Sequence, residues 1–141
     1  MLFETVVVGA DGSASAAEAV QHAIDLVRMS GGRLHIVSAY QSQGLRVAGG
    51  DEAARSLDSG ELADSVLADL SSRARSAGVE VTIHGKAGAP ADAICEVATE
   101  VGADLIVVGN KGMKGVRRVL GSVPNSVAHQ APCSVLIAAT T

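Results

Sequence analysis

The fold is decided by residues 105–127, which read LIVVGNKGMKGVRRVLGSVPNSV. The first four residues are an uninterrupted aliphatic run, which is typical of a buried strand. Ser122 followed by Pro124 is typical of a helix start, because serine caps helix N-termini and proline fits the first turn. Four glycines lie between these two signals. The stretch therefore predicts a strand, a glycine-rich loop and a helix in succession.

The loop has the composition of an anion-binding segment. Glycines let backbone N–H groups approach a ligand with no Cβ atom in the way, and the free N–H groups at a helix start favour negative charge. The same stretch carries Lys111, Lys114, Arg117 and Arg118. We therefore predict that the loop binds phosphate, although basic residues alone are also typical of a solvated surface.

The distribution of charge supports this prediction. The formal net charge is −4; residues 1–104 carry 7 basic and 15 acidic side chains, and residues 105–141 carry 4 basic and no acidic ones. An acidic protein that keeps carboxylates away from one glycine-rich loop suits a small anionic ligand there. It does not suit nucleic acid, which requires a broad basic surface and, for single strands, aromatic rings.

Composition predicts a single domain over residues 1–141 with an aliphatic core, because the chain is 48% hydrophobic and 1% aromatic. No apolar run approaches the roughly 20 residues of a membrane span, and the first residues lack signal-peptide features. We therefore expect a soluble, cytoplasmic protein. Cys95 and Cys133 lie among apolar residues and predict buried free thiols. The four histidines are scattered in the sequence, which indicates surface or hydrogen-bonded core positions rather than metal ligands.

Periodicity predicts five strands that alternate with four helices. The first helix is predicted to begin near Ser15, where Ser15 and Glu18 have capping-box spacing. Residues Gln41–Ser59 show no steady period and predict a long loop. The third strand alternates apolar and polar residues, which indicates an edge strand. The predicted strands are Thr5–Val8, Leu34–Tyr40, Val79–His84, Leu105–Val108 and Ser134–Ala139, and the later helices are predicted at Leu62–Ala74, Pro90–Val101 and Val123–Gln130.

This order of elements is typical of an α/β fold, an open, doubly wound parallel sheet with helices on both faces. Ligands bind such sheets beyond the carboxyl ends of the strands, where the strand order reverses. The first and fourth predicted strands end in glycine-bearing loops at Gly9–Ser13 and Gly109–Gly115. If these strands are neighbours, both loops face one crevice.

Five motifs occur in order along the chain: VVVGADGS (6–13), Gly88-Ala-Pro90 with Ile94 after it, ADLIVVG (103–109), the glycine loop ending in Gly121-Ser122-Val123, and APCSVLI (131–137). Through these motifs the chain resembles the universal stress protein family over essentially its whole length. The resemblance implies a five-stranded parallel sheet with strand order 3-2-1-4-5, and a homodimer paired through the last strand, Ser134–Ala139.

The glycine loop is similar to that of the nucleotide-binding branch of the family, which reads Gly-x2-Gly-x9-Gly-(Ser/Thr). Here Gly109, Gly112, Gly121 and Ser122 give Gly-x2-Gly-x8-Gly-Ser, one residue shorter in the second gap. The resemblance implies ATP or a related adenine nucleotide, such as AMP, ADP or cyclic AMP. A magnesium ion would act only as a counter-ion of the phosphates, without a dedicated protein site.

The resemblance also implies the residues that bind. Ala39 and Val108 would line the adenine pocket, and Asp11 and Gly109 would lie near the ribose, with Ala10 beside Asp11 in the binding set. The other binding residues surround the phosphates. Lys111, Gly112, Met113 and Lys114 would contact the α- and β-phosphates, and Gly121, Ser122 and Val123 the outer ones.

Three functions remain open. The first is a dimeric regulatory module that binds nucleotide, and the second is an interaction module of the same fold without nucleotide. The third is a slow ATP hydrolase, ranked last because no general base is evident, so we do not expect an enzyme. Asp11 is also typical of a helix start and, less so, of a phosphoacceptor. The glycine pattern matches neither the Rossmann fingerprint nor a P-loop.

Overall fold

The structure, a computed structural model, describes residues 3–40, 50–110 and 122–140. Strands and helices alternate along these ranges in the predicted order. The strands are β1 (Thr5–Gly9), β2 (Arg33–Tyr40), β3 (Glu80–Ala87), β4 (Leu105–Gly109) and β5 (Ser134–Ala138). The helices are α1 (Ala14–Ser30), α2 (Gly50–Ser76), α3 (Pro90–Val101) and α4 (Val123–Gln130).

The strands form one parallel sheet in the order β3-β2-β1-β4-β5. β1 is central, because Val8 lies in register with Ile36 of β2 and with Val107 of β4. The α/β class and the strand order 3-2-1-4-5 are therefore confirmed. The hypothesis that the first and fourth strands are neighbours is confirmed with them. β3 is an edge strand, as its alternation predicts, and β5 forms the other edge but ends one residue before the predicted Ala139.

Two cores lie on opposite faces of the sheet. Side chains of β1 alternate between them, with Val6 and Val8 in the first core and Val7 in the second. Helices α1 and α2 cover the first core, and α3 and α4 cover the second. Cys95 is buried in the second core and Cys133 is half-buried against it. Both are free thiols, as predicted, and burial raises the pKa of each.

Helix α1 begins at Ala14, near the predicted position, but its N-cap is Ser13, so the predicted capping box of Ser15 and Glu18 is wrong. Ser13 has an extended backbone (φ −81°, ψ 161°), and its hydroxyl oxygen accepts a hydrogen bond from the N–H of Ala16 at 3.1 Å. A cap residue must lie outside the helical conformation, and Ser13 does because Gly12, before it, turns the chain at a φ of +88°. Ser15 is left within the first turn.

Helix α4 begins where the sequence predicts. Ser122 is extended (φ −76°, ψ 147°), and its hydroxyl oxygen accepts from the N–H of Asn125 at 3.3 Å. Pro124 lies in the first turn, where its missing N–H has no consequence.

Helix α2 begins at Gly50, so the predicted loop is wrong for residues 50–59, and residues 41–49 lie outside the described residues. The glycines near 50 concealed a segment that favours a helix, since Asp51 and Glu52 suit a helix N-terminus and Ala53 has a high helix propensity. Although α2 has 27 residues, neither it nor any other described helix is apolar enough along its length to cross a membrane.

Candidate functional site

The carboxyl ends of β1, β2 and β4 meet at one edge of the sheet, which we call the carboxyl edge. The opposite edge, where these strands begin, is the amino edge. Gly9 at the end of β1 lies in register with Val37, so β2 continues for three residues beyond β1 and ends at Tyr40. Because strand order reverses at β1, the crevice of a doubly wound sheet lies beyond the ends of β1 and β4.

The loop after β1 holds Asp11 at the mouth of this crevice. Ala10 is buried, and its N–H donates to the carbonyl oxygen of Val37 at 2.8 Å, which anchors the loop to β2. Asp11 is exposed, and its Oδ1 accepts from the N–H of Ser13 at 2.9 Å. This contact forms a turn just before Ser13, which is the N-cap of α1, so Asp11 itself does not cap the helix. An added Cβ at Gly12 would lie 3.2 Å from Val66 Cγ2, so α2 packs against the same loop.

Small side chains line the side of the crevice that faces α3 and α4. Val108 is buried in the second core, and Ala39 is half-buried against it. Gly9 lies between their strands and carries no side chain. A Cβ there would approach Ile94 Cδ1 to 2.5 Å, so the absence of a side chain allows α3 to pack close to the sheet.

The end of β4 is in contact with three polar side chains. Thr140 N donates to Asn110 Oδ1 at 3.1 Å, the Thr140 hydroxyl donates to the same oxygen at 3.0 Å, and Ser15 Oγ is hydrogen-bonded to Thr140 Oγ1. We call Ser15, Thr140 and Asn110 the hydroxyl bridge. A Cβ at Gly109 would lie 2.9 Å from Ser15 Oγ and 3.3 Å from Thr140 Oγ1. The absence of a side chain at Gly109 thus lets these two hydroxyls pack directly against the end of β4.

The start of α4 offers a buried hydroxyl. Ser122 is 8% exposed, and its oxygen already accepts from Asn125. A hydroxyl that accepts one hydrogen bond keeps its own hydrogen for donation, which suits a phosphate oxygen. Val123 is half-buried against the second core.

Five predicted phosphate-binding residues, Lys111, Gly112, Met113, Lys114 and Gly121, lie outside the described residues. The residues that the structure does bring to the carboxyl edge are Ala10, Asp11, Ala39, Val108 and Gly109, and Ser122 and Val123 begin the helix that follows β4.

Two groups were missed by sequence reasoning. The first is the hydroxyl bridge, whose members are up to 125 residues apart. The second is a pair of histidines on neighbouring strands: His35 Nδ1 lies 3.0 Å from His84 Nε2, and their ring centroids are 5.2 Å apart. Only the register of β2 against β3 could have revealed the pair. Within the described ranges, no group of three or more His, Cys, Asp or Glu side chains could hold a metal ion.

Comparison with known proteins identifies relatives over the whole chain. The model of the universal stress protein family matches residues 2–139. The universal stress protein Rv1636 of Mycobacterium tuberculosis is 39% identical over 145 residues, which cover 99% of this chain and 98% of that protein. A solved universal stress protein in complex with cAMP has a TM-score of 0.82 and 36% identity and covers 100% of both chains. The crystal structure of Rv1636 has a TM-score of 0.64 and 37% identity, covering 100% of this chain and 98% of that one.

Proposed function

This chain belongs to the universal stress protein family, and from that premise we propose that it binds an adenine nucleotide at the carboxyl edge of its sheet. The observation that carries the proposal is the pairing of β1 with β4, which brings the Asp11 loop and Gly109 to one crevice. A parallel sheet binds ligands at this point, and the relative solved with cAMP has the same fold at 36% identity.

The chemistry of the described residues suits such a ligand. Ala39 is half-buried and presents a small apolar surface that a purine ring can pack against, and Val108 is buried in the core beside it. The carboxylate of Asp11 can accept hydrogen bonds from ribose hydroxyls, since its side chain is exposed at the crevice. Ser122 supplies a hydroxyl at the N-terminus of α4, where the helix dipole favours phosphate. We propose that Lys111, Gly112, Met113, Lys114, Gly121 and Val123 complete the phosphate site.

The class of ligand in this proposal is an adenine nucleotide, with ATP as the first candidate and AMP, ADP and cyclic AMP as related ones. A magnesium ion would accompany a di- or triphosphate as its counter-ion. We propose a regulatory module in which nucleotide occupancy changes the choice of partner, and we do not propose a reaction.

We also propose that the protein forms a homodimer through β5. Leu136 and Ile137 are 39% and 37% exposed, and since adjacent residues of a strand point to opposite faces, this edge presents apolar side chains on both. Light scattering should show a dimer that Leu136→Lys dissociates. Ile83→Lys on the opposite edge strand, where Ile83 is 41% exposed, is the matched control and should leave the mass unchanged. Dissociation by both variants, or by neither, would contradict this interface.

The nucleotide proposal is tested by filling the apolar side of the crevice. Ala39→Phe should abolish measurable binding of ATP, AMP and cyclic AMP in titration calorimetry, because the ring occupies the space proposed for adenine. Ala103→Phe is the matched control, since Ala103 is also half-buried against the second core but lies just before β4 at the amino edge. It should bind as the wild type does. A wild-type protein that binds none of the three nucleotides, and carries none when purified, would refute the proposal and favour an interaction module.

A further inference from the structure

The hydroxyl bridge has a single possible direction of hydrogen bonding. The backbone N–H of Thr140 can only donate, so the Asn110 atom that it contacts at 3.1 Å is the amide oxygen. The Thr140 hydroxyl donates its one hydrogen to the same oxygen at 3.0 Å. Its bond to Ser15 Oγ must therefore be donated by Ser15. With the oxygen held by two donors, the Asn110 amide cannot flip without losing both.

The bridge is partly buried and connects separate parts of the chain. Thr140 is 4% exposed, and Ser15 and Asn110 are half-buried. Ser15 lies in the first turn of α1, directly after the Asp11 loop, and Asn110 directly follows β4. Thr140 follows β5. The bridge thus joins the segments that leave β1, β4 and β5 at the carboxyl edge.

The bridge also sets the position of the backbone at the end of β4. Its two hydroxyl oxygens would lie 2.9 and 3.3 Å from a Cβ at Gly109, so they pack directly against that residue. A backbone held by packing on one side and by the Asn110 side chain on the next residue has little freedom to shift. Close packing of this kind transmits small displacements to neighbouring groups.

We propose that the hydroxyl bridge positions Gly109 and Asn110 for the nucleotide, so that Ser15 and Thr140 are positioning residues that raise affinity without contacting the ligand. The inference rests on the proposed function, which puts the ribose beside Asp11 and Gly109. Removing a hydroxyl of the bridge lets the end of β4 adopt other positions, of which only one suits the ligand. Part of the binding free energy is then used to order the backbone at the end of β4, so the affinity falls.

The test compares hydroxyl deletions inside and outside the bridge by titration calorimetry with ATP and AMP. Thr140→Val and Ser15→Ala should each weaken binding about fivefold, the equivalent of one ordinary hydrogen bond. Thr140→Ser retains the hydroxyl and should restore most of the affinity. Thr99→Val and Ser71→Ala are the matched controls: each removes a hydroxyl in the last two turns of α3 or α2, away from the carboxyl edge, that donates to a carbonyl oxygen of the same helix. The Ser71 hydroxyl also accepts from Arg75.

Thermal unfolding of every variant separates positioning from stability. The controls should lower the melting temperature but leave affinity unchanged, whereas the bridge variants should lower both. Wild-type affinity in Thr140→Val and Ser15→Ala would overturn the bridge and leave the nucleotide proposal intact. Equal losses of affinity in the controls would also overturn it. A wild-type protein that binds neither nucleotide refutes the proposed function, and the bridge falls with it.

Discussion

The two edges of the sheet use the same residue types for different purposes. At the amino edge, Asp104 is half-buried and its two carboxylate oxygens accept from the N–H groups of Glu4 and Thr5 at 3.0 and 3.1 Å. At the carboxyl edge, Asp11 is exposed and accepts from the N–H of Ser13, within its own turn. The first carboxylate fastens the start of β1 to the start of β4, and the second shapes a loop.

The glycines differ in the same way. A Cβ at Gly32, on the amino edge, would lie 2.2 Å from the backbone carbonyl oxygen of Glu4, which cannot move without breaking the sheet. A Cβ at Gly109 would meet the hydroxyls of Ser15 and Thr140, which are side-chain atoms. Backbone atoms therefore limit the space at Gly32 on the amino edge, whereas side-chain hydroxyls are the nearest atoms at Gly109 on the carboxyl edge. We therefore expect substitutions at the amino edge to change stability and those at the carboxyl edge to change binding.

The largest expected effect is that of Gly32→Ala. The contact with Glu4 forces a shift of backbone in two segments, so unfolding free energy should fall by about 3–5 kcal/mol in urea titrations. Gly31→Ala is the control: Gly31 has a φ of +76° and no atom within 4 Å of its added Cβ. It should cost only about 1–2 kcal/mol of left-handed strain. Equal losses for the two would show that the backbone of Glu4 does not limit the space at Gly32.

The two aspartates should give opposite results. Asp104→Ala should lower the unfolding free energy by about 2 kcal/mol, because two backbone N–H groups lose a charged acceptor, and should leave nucleotide affinity unchanged. Asp11→Ala should cost less than about 1 kcal/mol and weaken nucleotide binding about tenfold. Chemical denaturation measures the unfolding free energy of each variant, and titration calorimetry measures its nucleotide affinity. A loss of affinity in Asp104→Ala would remove the functional distinction between the edges.

The smallest expected effect comes from the histidine pair, which lies between the two edges. Burial lowers the pKa of His35 and of His84 below the ordinary 6.5, and the neighbouring His84 lowers the pKa of His35 further. The neighbouring cations Arg33 and Lys86 lower these pKa values, whereas Glu80 and Glu100 partly oppose them. The folded state therefore binds protons less readily than the unfolded state.

The contribution of the pair to stability should be complete above pH 6.5 and should be lost as the pH falls below 6.5, because the unfolded chain takes up protons first. His84→Gln should reduce the slope of unfolding free energy against pH between 7 and 5, and His22→Gln, an exposed histidine on α1, is the control. Nucleotide affinity of the folded protein should not follow the slope, since neither histidine belongs to the proposed set of binding residues. An unchanged slope in His84→Gln would show that the histidine pair does not cause the pH dependence of stability.

Much of the fold could be predicted because its signals are local. The aliphatic run of β4 and the Ser122–Pro124 start of α4 each decide their own conformation, and both were predicted correctly. The N-cap of α1 was assigned to the wrong serine, because both Ser13 and Ser15 have side chains that can cap a helix. The left-handed turn at Gly12 favours Ser13. The start of α2 was missed because the helix was predicted from periodic apolar residues alone. Residues 50–59 show no such period, although several of them have a high helix propensity.

The candidate site was predictable only in part. Residues that adjoin the ends of β1 and β4 were found from their glycines, since a parallel sheet gathers such loops at one edge. The hydroxyl bridge was not found, because Thr140 meets Asn110 only when β5 is placed beside β4. His35 and His84 met for the same reason, through the register of neighbouring strands. Residues that act within one segment could be predicted from the sequence, whereas contacts between residues on different strands could be identified only from the structure of the sheet.

The central position of β1 has a consequence for the order in which the protein is made. β1 leaves the ribosome before the other four strands of its sheet, yet one of its two partners, β4, is encoded about one hundred residues later. β1, β2 and β3 can pair early during translation. Until β4 is made, the valine-rich β1 remains an unpaired edge strand. A nascent chain halted before residue 105 would expose that edge, which makes it a natural substrate for chaperones and a hazard for aggregation.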